Sequence, residues 1–344
     1  MTGSADLEDM PPEDGQGTAG RTLKKCASSS SVAIRDVARI EQALGAVLPV
    51  ELTQLAGGTL LGELLPIDLG VVQLLRLRLD KPLHSAGAKP GDRQLIALDL
   101  REEPSPAGFR SHGVALPPTA FFGLAGAGEI HLTTPTHCTL ALLSLDRHHF
   151  LQWALDLGCP GLEEMVLQAN WQCIDPVRFR RVRLCLRRIF RLAGQEPARL
   201  RQPRTRQLLA CTLVPLLVEA LAPQATPERL ARPPARIELV KAAQRWMVEH
   251  PGEPISLDAL CRELAAGRRS LLQGFQDHLG MGPMAFLKLR RLHGVHRELV
   301  RADPEATRIS ELAARWGFLN PGHFARDYRS LFGESPSATL RNPG

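Results

Sequence analysis

Near its C-terminus the chain carries one helix-turn-helix pattern twice. The first copy runs Leu257, Leu260, Cys261 and Leu264, then Leu271, Phe275, Leu279, Gly280 and Pro283. The second runs Ile309, Leu312, Ala313 and Trp316, then Phe324, Tyr328, Phe332, Gly333 and Pro336. The later halves are offset by 53 positions (271 to 324, 283 to 336) and the earlier halves by 52 (260 to 312), so the second copy has one more residue in its turn. This repeat restricts the C-terminal part to a tandem of small tri-helical units, a shape that suits two adjacent DNA grooves.

The spacing has a physical cause. Leu257, Leu260, Cys261 and Leu264 follow i, i+3, i+4, i+7, one apolar face of a short helix, and Ser256 stands where a side-chain oxygen caps free backbone N–H groups. Gly267 falls in the turn. Leu271, Phe275 and Leu279 form a second stripe, which leaves Arg268, Arg269, Ser270 and Gln273 facing outward. In the second copy Phe324, Tyr328 and Phe332 form the stripe, and Gly322, His323, Arg326 and Arg329 face out. In a helix-turn-helix the second helix lies in the major groove and its outward residues reach base edges. Ordinary helical hairpins carry similar stripes. The near-constant offset, the Gly-x-x-Pro endings and the outward arginines favour DNA binding.

The strings Ile309-x-x-Leu-Ala-x-x-x-Gly-Phe318 and Phe324-x-Arg-x-Tyr-x-x-x-Phe-Gly-x-Ser-Pro336 resemble the AraC/XylS family of bacterial transcription regulators, over about residues 237–340. Within it, Gly282-Pro-x-Ala-x-Leu-Lys288, Arg297-Glu-Leu299, Trp316-Gly-Phe318 and Asp327-Tyr328 are similar to the ethanolamine-utilisation regulators. The family resemblance implies an α+β chain: an N-terminal β-rich, cupin-like domain that senses a small effector, a helical connector, and an all-α C-terminal domain with two helix-turn-helix units joined by a long helix. It implies double-stranded DNA and RNA polymerase as partners, a homodimer, and the role of an activator. No cofactor is required; the subfamily resemblance alone implies a cobalamin-type effector, adenosylcobalamin with ethanolamine. Only Phe109, Phe121 and Phe122 are available in the β region to stack on so flat a group.

Residue types then assign roles. Arg269 and Gln273 sit one helical turn apart; Arg suits guanine O6 and N7, Gln suits adenine N6 and N7. Arg268 is placed for a phosphate. Leu272 stands where the family often has Gln, and either meets a thymine methyl or packs against a neighbour. In the second copy Arg326 matches the family's usual basic position, with His323 one turn earlier, but Pro321 and Gly322 fall where polar base readers often sit. The second unit therefore reads as a phosphate anchor more than a base reader. Between them a helix from Pro283 to about Val300 carries Lys288, Arg290, Arg291, His296 and Arg297, and fixes the reading helices about one DNA turn, roughly 34 Å, apart.

The remaining sequence divides by composition. Residues 1–30 mix Gly, Pro, Ser and acidic residues and read as a disordered tail; they have no apolar signal segment. Residues 31–160 read as the β-rich sensor and dimerisation domain. Short apolar runs at 70–79, 94–98, 128–132 and 138–143, separated by turn signals, suggest an antiparallel sandwich or barrel. Residues 161–235 read as helical connector and linker, with helices around 178–192 and 208–221 and a Pro-rich end at 223–235. Residues 236–344 form the DNA-binding domain.

The net charge of +6 includes Arg178, Arg180, Arg181, Arg183, Arg187, Arg188 and Arg191 in one short segment. These arginines either add sequence-blind phosphate contacts or form a helix face that packs in the connector, and the second reading is preferred. Seven cysteines without a Cys-x-x-Cys pair suit small buried residues in a reducing, cytoplasmic compartment. The longest apolar run, 208–218, is far short of the roughly 20 residues a spanning helix needs.

No motif for enzymatic chemistry is present: there is no Gly-x-Ser-x-Gly, and Gly123 to Gly128 is not a dinucleotide fingerprint. No His-x-His occurs, and only Glu129 and His131 have same-face spacing. His84, His112, His131 and His137 are therefore expected to be scattered, with no metal site. A constitutive DNA-binding regulator, whose β domain only dimerises or binds a protein partner, is the competing reading.

Overall fold

Leu140-Ala-Leu-Leu143 is apolar at every position, not at every second one, and the fold shows why. The computed structural model describes residues 31–45, 48–102, 108–126, 128–165, 169–222 and 236–341. The expected tail at 1–30 and the Pro-rich linker at 223–235 lie outside the described residues. The N-terminal half holds two antiparallel sheets. The larger orders its strands β1 (Val32–Ile34), β3 (Gly62–Asp68), β4 (Val72–Leu79), β11 (Cys138–Asp146), β6 (Arg93–Asp99), β9 (Ala120–Phe122) and β12 (Trp171–Cys173). The smaller orders β2 (Val50–Gln54), β5 (Leu83–Ala88), β10 (Glu129–Thr133), β7 (Arg110–Ser111) and β8 (Val114–Ala115).

The larger sheet is buried on both faces. Leu64, Leu77, Ala97, Cys138 and Leu140 face the smaller sheet, together with Ile40 and Leu44 of α1 (Val37–Leu44). Leu65, Leu74, Ile96, Leu98, Ala141, Leu143 and Leu145 face the opposite way. That outer face is covered by α2 (Arg147–Asp156), α4 (Pro176–Gln195) and α6 (Pro203–Leu221), which contribute Phe150, Phe179, Leu186, Phe190, Leu213 and Leu217. Two short helices, α3 (Leu162–Met165) and α5 (Pro197–Leu200), connect them. A strand apolar on both sides loses its period-2 alternation.

The connector therefore shares one core with the β domain, and β12, at 171–173, pairs with β9 beyond the boundary expected at 160. Four arginines of α4, Arg178, Arg181, Arg183 and Arg187, make contacts in this packing. Arg183 donates to the Arg101 carbonyl at 2.9 Å and Arg187 to the Leu100 carbonyl, while Arg181 pairs with Glu219 at 2.7 Å. Arg178 donates to the Glu219 carbonyl at 2.9 Å.

The C-terminal domain comprises α7 (Arg236–Glu249), α8 (Leu257–Glu263), α9 (Arg268–Leu279), α10 (Pro283–Arg301), α11 (Ile309–Arg315), α12 (Pro321–Phe332) and α13 (Pro336–Arg341). It has two cores. Val240, Leu260, Leu271, Phe275 and Phe286 form the first; Val295, Leu299, Leu312, Phe324 and Tyr328 form the second. Helix α10 supplies both. Leu331 is the buried residue that closes the second stripe, whereas Phe332 is only half-buried and stacks on His296, ring centroids 4.3 Å apart. Gly294 on α10 is required by close approach: a Cβ there would lie 2.2 Å from the Trp316 ring.

Candidate nucleic-acid interface

Both reading helices start and stop as their sequences dictate. The Ser256 side chain accepts from the Ala259 N–H at 3.1 Å and so caps α8. Asn320 Oδ1 accepts from the His323 N–H at 3.0 Å, and Pro321 occupies the first turn of α12, where its missing N–H costs nothing. Helices α9 and α12 both end on a left-handed glycine, Gly280 (φ 72°) and Gly333 (φ 78°), the backbone conformation at which a Cβ is penalised. Four residues separate α8 from α9 and five separate α11 from α12, which accounts for the extra residue in the second turn.

The reader positions are on the surface. Arg268, Arg269, Ser270 and Gln273 of α9 are exposed, as are Gly322, His323 and Arg326 of α12. Arg268, Arg269, Leu272 and Gln273 line one shallow groove together with Gln276 and Gly282. Arg268 lies 3.4 Å from Asp258, and Gln273 donates to Asp277 at 2.6 Å. Among the described residues Arg269 and Arg326 make no ion pair. Leu272 is exposed, so it is free to meet a ligand and does not pack inward. Two surface residues escape the repeat pattern. Gln276 lies one turn beyond Leu272 in the same groove, and Leu319, 87% exposed, stands in the turn before α12. An exposed leucine in a helix-turn-helix turn is a legible signal only once its neighbours are placed.

The opposite ends of these helices are docked on the β domain. The loop between β2 and β3 meets the C-terminal end of α12: the Gly58 N–H donates to the Ser330 carbonyl at 2.9 Å, and the Gln54 side chain donates to the Leu331 carbonyl at 3.2 Å. The Gln54 backbone N–H donates to His293 Nε2 at 2.9 Å. Helix α10 lies across β2. Arg297 pairs with Glu41 at 2.7 Å and with Glu51 at 3.1 Å, and Arg290 pairs with Glu51 at 2.5 Å. Burial pulls the Glu51 carboxyl upward, but the two guanidiniums outweigh it and hold it below its ordinary range. His296 Nε2 lies 3.0 Å from Asp36. Arg290, His296 and Arg297, read in the sequence as a basic face of the connecting helix, are thus turned to the β domain. Lys288 remains half-exposed beside Asp327 at 3.3 Å.

The expectation of scattered histidines is corrected for two of the four, which meet a third histidine from the C-terminal domain. His84, His131 and His278 are all buried, and each offers one ring nitrogen within 4.8 Å of the others. Strands β5 and β10 are antiparallel neighbours, with Thr133 opposite His84 and His131 opposite Ala86. Helix α9 brings His278 from the other domain, which no local spacing announces. Burial drives all three imidazoles toward the neutral form, His131 to about 3 and His278 to about 4, with His84 well below its ordinary value.

The β domain also encloses a slot lined mainly by leucines, among them Leu52, Leu77, Leu95 and Leu140; its polar groups include Lys89, Ser111, Thr134 and Asn170. Burial lowers the Lys89 ammonium to about 8, and its Nζ donates to the Ala125 carbonyl at 3.3 Å and to Asn170. Among the described residues no helix is long and apolar enough to cross a membrane.

Comparison with known proteins agrees with this geometry. Residues 260–342 match the family described as a helix-turn-helix domain. The probable thc operon regulatory protein of Rhodococcus erythropolis is 40% identical over 114 residues, 33% of this chain and 34% of that protein. The XylDLEGF operon transcriptional activator of Pseudomonas putida is 32% identical over 139 residues, 40% of this chain and 42% of that protein. The chain thus spans well under half the length of these curated relatives. Among solved structures, the AraC-like transcriptional activator CuxR superimposes loosely (TM-score 0.39, 17% identity), covering 83% of this chain and all of that one. Neither of these two relatives is named as an ethanolamine-utilisation regulator. The similarity lies in the tandem helix-turn-helix part: residues 260–342 match a helix-turn-helix domain, and the relatives that share this part are operon regulators of the AraC/XylS kind.

Proposed function

We propose that the protein is a sequence-specific DNA-binding transcription activator whose N-terminal β domain responds to a small effector. One observation carries this reading: both reading helices expose their N-terminal halves, where Arg268, Arg269, Gln273, His323 and Arg326 stand, while their C-terminal halves are fastened to the β domain. The N-terminal residues of a recognition helix are those that meet base edges. The β domain therefore holds both readers without covering them, and any change in its packing is passed to their relative placement.

The leucine-lined slot is the effector site in this reading. It suits a small, mostly apolar molecule with one polar end directed at Lys89 and Asn170. His131 lines the slot and also stands in the histidine cluster against α9, so an occupant adjoins a contact between the domains. RNA polymerase and a second copy of the chain are the partners proposed with it.

Fluorescence anisotropy with duplexes drawn from the flanking intergenic DNA tests the central claim. Selective binding whose affinity falls linearly on a log–log plot against salt is expected. Equal affinity for every duplex, or none, would overturn it. Thermal-shift screening against small amphipathic metabolites tests the effector. An occupant at 100 times its dissociation constant adds about 2.7 kcal/mol, and the competing constitutive regulator would show no such stabilisation.

A further inference from the structure

Three buried imidazoles converge from two domains, and their nitrogens are poorly provided for. Both ring nitrogens of His278 and Nδ1 of His131 are buried with no hydrogen-bond partner. His84 has only a long 3.4 Å approach to Thr133 Oγ1 and a 3.1 Å contact with the Gln244 amide. A buried polar group without a partner costs about 1–3 kcal/mol, so a cluster of this kind needs a reason. Ordinary core histidines are satisfied by neighbouring carbonyls or hydroxyls; these face one another.

We infer that His84, His131 and His278 form a binding site for one divalent transition-metal ion of the zinc class, joining the β domain to the first reading helix. Imidazole nitrogens suit zinc, cobalt, nickel and copper over magnesium or calcium, and three neutral histidines with one open position is a familiar zinc arrangement. Nitrogens bound at 2.0–2.1 Å in a tetrahedron lie roughly 3.3 Å apart. The cluster, with its nitrogens within 4.8 Å, reaches this by small side-chain rotations.

The surroundings permit the charge. Lys241 and Arg245 stand near, but Glu129 lies 3.9 Å from the first and 3.1 Å from the second, and Glu238 lies 2.8 Å from Lys241. Arg290 is taken by Glu51. Glu129 Oε2 also lies 3.6 Å from His131 Nε2, which adds negative charge beside the cluster. Arg110 and His112 complete the nearby basic groups. A cleft between the domains, lined by Glu51, His84, Glu129, His131, Gln244 and Arg290, opens onto the cluster and supplies an entry path.

The ion would clamp the C-terminal end of α9 to β5 and β10. This consequence rests on α9 being a reading helix, as proposed above; the metal site itself does not. Co2+ titration of the full-length, metal-free protein reads the site directly. One Co2+ per chain with tetrahedral visible d–d bands and no thiolate charge-transfer band is expected, displaced by Zn2+. His278→Gln and, from the other domain, His131→Gln should each weaken binding by more than the roughly 10–100-fold that loss of a group supporting a ligand costs. A doubled His148→Ala, His149→Ala variant on α2 should bind as the parent does. Far-ultraviolet circular dichroism in metal-free buffer checks that each variant is folded, and either ligand variant suffices. Absence of a stoichiometric tetrahedral signal, or a signal kept in both ligand variants and lost with the α2 pair, would overturn the site. DNA binding measured in chelator reports separately on the regulator reading.

Discussion

Arg269 and Arg326 are both exposed, Arg269 in the first turn of α9 and Arg326 one turn further along α12, in register with Gln273, and their neighbours differ. Arg269 shares a groove with Gln273 and Gln276, side chains that bond to base edges, whereas Arg326 follows Pro321 and Gly322, which have no reading group. Arg269→Ala should therefore cost about 1–3 kcal/mol on the specific duplex and relax one base preference. Arg326→Ala should weaken specific and random duplexes alike and lower the salt slope by about one. Anisotropy on matched and scrambled duplexes separates the two, and equal behaviour of both variants would defeat the asymmetry. Gly294 marks a different residue-scale constraint. A methyl placed 2.2 Å from the Trp316 ring must push the indole away from Glu298, to which its Nε1 donates at 2.6 Å. Gly294→Ala should destabilise the second unit by about 1–3 kcal/mol despite the better helix propensity of alanine, as a lowered denaturation midpoint would show.

At the scale of elements, α10 joins the two units and also fastens them to the β domain. Its 19 residues span about 28 Å, and its inner face carries His293, which accepts from the Gln54 N–H. Only a neutral imidazole accepts that bond. Burial, then the nearby Arg297 and His296, hold His293 well below its ordinary value, with Asp36 pulling weakly the other way. A histidine depressed in the folded state adds stability that is complete above the unfolded value, near 6.5, and is lost as pH falls beneath it. Thermal unfolding should therefore weaken from pH 7.5 to 5.5, and His293→Gln should flatten that slope while keeping an acceptor. An unchanged slope in the variant would exclude His293 as its source. The helix ends were legible in sequence because they are local: Ser256, Pro283, Gly280 and Gly333 act within one turn. Strands β4 and β11 were legible only as apolar runs, since burial on both faces erases alternation, and β12, at three residues, is too short to leave a pattern.

Across the whole molecule, what sequence could not disclose is the docking of one half on the other. Arg297 reads as a basic residue on a helix between two DNA readers, yet its partner Glu41 is 256 positions away. His278 reads as a residue near a helix end, and only the fold places it beside His84 and His131. Periodicity records which face of a helix is apolar, not which charged residues meet across domains. The Glu41–Arg297 pair is well shielded, its side chains 14% and 15% exposed, and Glu41 also accepts from the Leu52 N–H at 2.6 Å. Removing one member leaves a poorly hydrated charge, which costs about 3–5 kcal/mol where a buried pair is broken. Arg297→Met and Glu41→Gln should each loosen the domains strongly. The double variant should recover much of the loss, giving a coupling energy within the 0.5–3 kcal/mol seen for residues in contact. Hydrogen exchange along α10 and β2 follows the loosening directly. If each single variant changes protection by no more than an exposed ion pair would, about 0–1 kcal/mol, the docking must rest on the Gln54 and Ser330 contacts and not on this pair.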